Sequence, residues 1–409
     1  MSETEPMSVN ERRKYLHKMR IRYWQAKSKS AKSALLDEME AVTNLHRKSL
    51  LRLIRGNLAR KPRRKQRGQI YGAEVKFVVE KIAHSLDYPC AERLQPNLVW
   101  MAEQLKAHGE IELCVEIRAK LQTISVSTLR RLLPPSGRAA ERIAHRKGKL
   151  KGGYAQRQAI PIRRIPWDEK APGHFEIDLV HHCGISSSGQ YVHSLQMTDV
   201  ATGWSECVAV LGRSYLVMQD GFQRIENRLP FPIVEIHPDN GSEFLNDHLL
   251  RFWRERASPL ELSRSRPYAK NDNRFVEENN FSQVRAYLGY ARLDTVAHTH
   301  LINQLYDQLW LYHNFFQPVM RLSEKHFEAG HCKRIYDPAV PPLDRLLRTN
   351  LLSPKEQAKL LALRQSTNPV ELRKNIQVLI EKISALPPAQ GYAENVRLTL
   401  LPQEADIRW

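Results

Sequence analysis

The stretch from residue 232 to 284 restricts the fold more than any other part of the chain. It reads PIVEIHPDNGSEF, then a basic stretch broken by Pro267, then NDNRFVEENNFSQV. The apolar segment Ile233 to Ile236 reads as a short buried strand, which Pro238 and Asn240-Gly241 stop, leaving Asp239 at its end. Open α/β sheets present functional groups at such strand ends. A second strand and turn over Leu260 to Lys270 lead into a helix on which Glu277, Phe281, Val284 and Leu288 share one stripe. The spacing predicts that Glu277 faces the sheet and not water.

A third acid comes from His174-Phe175-Glu176-Ile177-Asp178-Leu179-Val180, where residues alternate. Phe175, Ile177 and Leu179 pack on one face, and Glu176 and Asp178 point to the other. Asp178, in mid-strand, is the candidate. A carboxylate on a buried face is costly unless a positive group meets it. Three carboxylates, all oxygen donors, suit Mg²⁺, with Mn²⁺ as a substitute, far better than zinc. Two such ions about 4 Å apart stabilise the attacking and leaving oxygens of an in-line phosphoryl displacement.

The order Asp178, then Asp239 in HPDNGSEF, then Glu277 in NDNRFVEENN with 37 residues between the last two, resembles the DDE transposases of bacterial insertion sequences and the retroviral integrase core. The resemblance covers roughly residues 173–318. It implies an α/β RNase H-like core in which the first strand lies beside the strand bearing the second Asp and the Glu helix packs across them. Asp178, Asp239 and Glu277 would be the catalytic residues and ligands of two Mg²⁺ ions. Relatives place a basic residue seven positions after the Glu, whereas Val284 stands there and the base is Arg285. Counting back from Arg285 gives Glu278, so both acids stand as the third ligand. Glu278 shares its face with Ser282, Arg285 and Gly289, a polar set, which favours Glu277.

A chain of 409 residues exceeds one ordinary domain, and a net charge of +19 fits a polyanion partner. Nucleic acid is favoured over membrane, because the chain has no apolar run of the ~18 residues a span needs and its N-terminus is charged. Cys90, Cys114, Cys183, Cys207 and Cys332 are odd in number, lack a CxxC pair and read as reduced. His84 with Cys90 and His108 with Cys114 repeat a spacing that matches neither a zinc finger nor the integrase HHCC pattern, and they read as buried or surface residues. A cytoplasmic location follows; the resemblance makes it prokaryotic and nucleoid-associated.

The flanks read as DNA-binding modules. Helices over 10–26, 31–41 and 45–55 suggest a helix-turn-helix in which His46, Arg47, Lys48 and Arg52 face outward. Arg60, Lys61, Arg63, Arg64, Lys65 and Arg67 place six cations in eight residues, a run expected to track phosphates. A second helix-turn-helix ends in a helix capped by Ser125 and bearing Ser127, Thr128, Arg130 and Arg131. Lys270, Arg274 and Arg285 should lie near phosphate in the core. The expected architecture is multidomain: all-α helix-turn-helix modules at 1–57 and 72–135 separated by a basic linker at 58–71, a basic interdomain linker at 136–172, the RNase H-like core at 173–318, and a mostly helical C-terminal region at 319–409 that opens with a short basic segment.

Smaller expectations complete the reading. Asp199 should cap a turn, with a fourth-ligand role as its rival, His237 should pack at a strand end, and Glu243 should lie near the metals. Helix 297–315 should cover the far side of the core. Residues 333–336 read as one short strand, and 353–366 and 369–386 as helices. The function implied is a DNA transposase that binds inverted repeats at element ends, then hydrolyses a phosphodiester and transfers the strand to target double-stranded DNA as a homo-oligomer. The alternative is a catalytically inactive or domesticated DNA-binding protein derived from one.

Overall fold

A computed structural model describes residues 7–56, 58, 70–133, 161, 163, 165–166, 168–238, 252–253, 260–266, 272–328 and 331–389. The chain divides into two compact units, 1–70 and 71–409. In the first, Ser8 caps α1 (Val9–Gln25) in a reciprocal box: Ser8 N donates to Glu11 Oε2 at 2.7 Å and Glu11 N to Ser8 Oγ at 3.3 Å. Helix α2 (Lys29–Thr43) ends on Asn44 at φ 57°, a left-handed cap that turns the chain into α3 (Arg47–Arg55). Leu16, Met19, Leu36, Met39, Leu50 and Ile54 are buried between the three helices.

In the second unit one hydrophobic core runs from residue 75 to residue 383. Residues 73–132 fold as α4 (Ala73–Ser85), a short α5 (Ala91–Leu94), α6 (Leu98–Ala107), α7 (Val115–Thr123) and α8 (Val126–Leu132). These helices share the core of the second unit with the sheet. Asn97 Nδ2 donates to Ala339 O at 2.9 Å, Gln104 Nε2 to Arg364 O at 2.8 Å, and Tyr312 Oη to Ser85 O at 3.0 Å. Apolar faces reveal that a helix packs, but not against what.

The centre is a five-stranded sheet in the order β3-β2-β1-β4-β5. Strands β1 (His174–His181), β2 (Val192–Asp199) and β3 (Ser205–Leu211) form an antiparallel meander, and β4 (Glu235–Pro238) and β5 (Glu261–Leu262) add in parallel beside β1. This mixed sheet is compatible with the integrase-like core that the resemblance implies. Helix α9 (Tyr215–Arg228) covers the face of Phe175 and Ile177. A Cβ on its Gly221 would meet Val210 Cγ1 at 3.2 Å and Leu195 Cδ2 at 3.4 Å, so the bare glycine lets the helix lie close to the sheet.

The opposite face carries a helix over 274–288, whose middle, Asn280–Arg285, is π-helical. Beside it lies the helix Val296–Leu311. That second helix was expected on the far side and instead shares the face of Asp178. Asn303 bonds both backbone groups of Ala209 at 2.9 Å, and Tyr306 Oη bonds Ser194 Oγ, whose register partner is Val180. Its other flank packs on the terminal helix Pro369–Ala385, so it is buried on two sides.

Beyond the core, one short strand was expected, but β6 (Leu322–Glu328) and β7 (His331–Tyr336) pair as a two-stranded antiparallel ribbon. Helices Pro342–Leu347, Pro354–Ser366 and Pro369–Ala385 follow, the second opened by a Ser353–Glu356 capping box. Among the described residues no helix is long and apolar enough to cross a membrane.

Candidate active site

Asp178 stands on β1 with its side chain half-buried. Its Oδ1 accepts from Leu179 N at 2.8 Å and its Oδ2 from the side-chain amide of Asn280. On one side β2 places Gln196 opposite it; on the other, β4 runs parallel, with Ile177 facing Pro238. Pro238 is the residue before Asp239, which lies outside the described residues, as do Glu243 and Lys270. The parallel register thus delivers the end of β4 beside Asp178.

The 274–288 helix starts where Glu176 meets it. Glu176 Oε2 accepts from Phe275 N at 2.7 Å and Val276 N at 3.1 Å, filling the role of a cap from a strand 100 residues away. Burial pushes the Glu176 carboxyl up to about 7, against the pull of Arg274, whose Nη1 is 3.9 Å from its Oε1, and of the two amides. The sequence offered a signal for this: Glu176 alternates onto the same face as Asp178.

Glu277 does not face the sheet. It is exposed, and so is Phe281 at 41 %, whereas Val276 and Val284 are at 0 % and Leu288 at 5 %. The inward stripe is therefore Val276, Asn280, Val284 and Leu288, at intervals of four. A π-helical stretch fits more residues into each turn than the 3.6 on which the expected stripe was laid. Asn280, which the sequence reading passed over, touches Asp178. At 3.6 residues per turn Glu277 lies roughly 60° from Asn280 around the helix and Glu278 roughly 160°. Glu278 is accordingly turned away, with Arg93 Nη2 3.8 Å from its Oε1. Among the described residues no group of three or more His, Cys, Asp or Glu gathers as a metal site.

The neighbouring acids and bases are occupied in the fold. Asp199 is buried, accepting from Gly173 N at 2.8 Å, Thr202 N at 2.7 Å and Thr202 Oγ1 at 2.6 Å, which makes it a turn cap. His237 is buried with Nδ1 2.6 Å from Ser263 Oγ; burial lowers it to about 4, so at neutral pH it packs uncharged at the strand end. Arg285 donates to His181 O at 2.7 Å and Gly289 O at 3.0 Å, tying the helix to the end of β1.

The expected DNA-contacting side chains divide by partner. His46, Lys48 and Arg52 are exposed on α3, with His46 Nδ1 accepting from Lys48 N at 3.2 Å. Arg47, half-exposed, makes an ion pair with Asp37 and a 2.5 Å bond to Ser33 Oγ on α2. On α8, Ser127 is exposed, Thr128 N donates to Ser125 Oγ at 3.2 Å, Arg131 bonds Ser127 O and Thr128 Oγ1, both at 3.2 Å, and Arg130 pairs with Glu92. Arg274 lies over the Phe275 ring, 4.2 Å from its centroid. Arg60, Lys61, Arg63, Arg64, Lys65 and Arg67 are outside the described residues.

No protein-family model matches the chain. Among solved structures, the catalytic core domain of BIV integrase aligns with 43 % of this chain and 95 % of its own, at 13 % identity and a TM-score of 0.28. The uncharacterized protein y4rM of Sinorhizobium fredii is 35 % identical over 326 residues, which are 80 % of this chain and 92 % of that protein. With that identity over nearly the whole of the relative, the chain belongs to the family of y4rM.

Proposed function

We propose that this protein is a DNA transposase, which hydrolyses a phosphodiester at element ends and joins the freed 3′-hydroxyl to target DNA. The observation that carries the reading is the parallel register of β1 and β4, in which Pro238, the residue before Asp239, pairs with Ile177, the residue before Asp178. Asp178, Asp239 and Glu277 are assigned as the catalytic carboxylates and would hold two Mg²⁺ ions. Those ions, when bound, supply positive charge for the pentacoordinate phosphorus and acidify a water. The residues that position these acids are Asn280, which orients the Asp178 carboxylate, Glu176, which fixes the head of the Glu277 helix, and Arg285, which ties that helix to β1. The helical placement favours Glu277 over Glu278 as the third acid. The α2-turn-α3 pair, with His46, Lys48 and Arg52 outward, is assigned to binding element ends, and the net charge of +19 draws DNA in.

The test is a joining assay on labelled duplexes carrying the repeats that flank the gene, with Mg²⁺. Asp178→Asn is expected to keep end binding and thermal stability and to lose joining by at least the ~100-fold typical of removing one preorganised charge-stabilising group. Joining retained in that variant rejects the assignment. Glu277→Gln beside Glu278→Gln, in the same assay, identifies the third acid.

A further inference from the structure

We propose that the β6–β7 ribbon is an arm that seats in a groove of duplex DNA, with Phe327 as an apolar wedge near its tip. The inference deepens the transposase reading and rests on it only for the identity of the polyanion.

A two-stranded ribbon alone is marginally stable in water. In this one, no layer among the described residues covers β7: every one of its residues is exposed, and Phe327 on β6 is 78 % exposed. Its charges also work against it. In the register Lys325 stands opposite Arg334, a like-charged pair, and Lys333 stands opposite His326. Directly opposed like charges destabilise a strand pair. Glu324 lies beside the second pair, at 2.7 Å from His326 Nε2. Among the described residues neither Lys333 nor Arg334 has an ion-pair partner. A dense external anion would remove this repulsion, whereas a second copy of the same ribbon would double it.

The ribbon is held firmly at its root. Arg321 N donates to Asp337 Oδ1 at 2.7 Å, Arg345 Nη1 to Asp337 Oδ2 at 2.5 Å and Arg345 Nη2 to Val319 O at 2.8 Å, while Val319 and Val340 exchange backbone bonds. At ~3.3 Å per residue its six-residue β7 projects about 20 Å. The major groove of B-DNA admits a two-stranded ribbon of this kind, and apolar side chains can wedge between base steps. Lys325 and Arg334 also line a cleft of about 780 Å³ that reaches Arg274 at the head of the Glu277 helix, its lining holding Arg93, Arg274 and Arg321 along with the acids Asp87 and Glu278.

The test compares the full chain with Lys333→Ala/Arg334→Ala and with Phe327→Ala, titrated into a fluorescein-labelled duplex at several salt concentrations. Losing two phosphate contacts should make the slope of log K against log salt shallower by about 1.8, with several-fold weaker binding and an unchanged melting curve. Phe327→Ala should keep the slope and lose the DNA bend, read by energy transfer between dyes at the duplex ends. A wild-type chain that binds no duplex, or a double variant with unchanged slope and affinity, overturns the arm; an unchanged bend overturns the wedge. The joining assay separates the two readings. A ribbon-dependent slope without joining sinks the enzyme and keeps the arm, and joining with an unchanged slope does the reverse.

Discussion

Inside the central sheet the buried carboxylates of Glu206 and Glu235 each meet a cation, whereas on the ribbon cation faces cation. Glu206 on β3 is wholly buried; its Oε1 accepts from Trp204 Nε1 at 2.9 Å and Trp310 Nε1 at 2.7 Å, and its Oε2 from Arg228 Nε at 2.7 Å. Arg228 then reaches Asp307 Oδ1 at 2.7 Å and Cys207 O at 3.1 Å. That network is closed on itself and has nothing left to offer a ligand. Lys333 and Arg334 are its reverse, charges with no ion-pair partner among the described residues. Asp178 lies between the extremes, half-buried, with Leu179 N and the neutral amide of Asn280 as named donors. Charge matched within the chain serves the fold, and charge left unmatched serves a partner.

The comparison is broken most directly at Arg228. Arg228→Met strands the Glu206 carboxylate among indoles and should cost about 3–5 kcal/mol, the usual loss when one member of a buried pair is removed. Denaturant unfolding measures it, and a loss below about 1 kcal/mol would mean that the network is not what holds α9 to the sheet.

A smaller effect with a pH signature is expected at Glu235, buried at the start of β4. Burial alone would raise its carboxyl, but hydrogen bonds from His174 (2.8 Å), Arg163 (2.7 Å) and Ser263 hold it down at about 2. A folded value below the ordinary 4.5 means stability that is present above pH 4.5 and lost as the pH falls toward 2, about 3 kcal/mol in all. His174 runs the other way. The Glu235 carboxylate raises it above 6.5, so its share is present below pH 6.5 and lost as the pH rises through the folded value. Glu235→Gln should flatten both limbs in unfolding measured across pH, and a variant that keeps the acid limb would assign that limb elsewhere.

Where the sequence was legible, the reason was burial with a regular period. The alternation of Phe175, Ile177 and Leu179 marks β1, and the helices expected over 353–366 and 369–386 match Pro354–Ser366 and Pro369–Ala385 within a residue or two. The failures have equally physical causes. Glu277 was placed inward because a 3.6-residue period was carried through what is a π-helical segment. Half of the ribbon was missed because neither of its faces is buried, so alternation had nothing to register. Arg47 read as an outward cation because its partners, Asp37 and Ser33, lie on another helix, and long-range pairing leaves no mark in a local pattern. What the sequence did not offer is what touches the acids of the candidate site: Asn280 beside Asp178 and the capping role of Glu176 appear only once the helix is laid on the sheet.

The smallest expected effect sharpens the comparison most, because it sets stability against binding. Arg334→Glu puts a carboxylate opposite Lys325 and turns a repelling cross-strand pair into an attracting one, worth about 0.2–1 kcal/mol to the ribbon. Hydrogen exchange of the amides of residues 331–336 should slow accordingly, while the same substitution weakens duplex binding. A solvated surface charge with no partner would give no such opposition, since its reversal would leave binding where it was. A cation kept opposite another cation, at a cost in stability that a single reversal removes, is placed for something outside the chain.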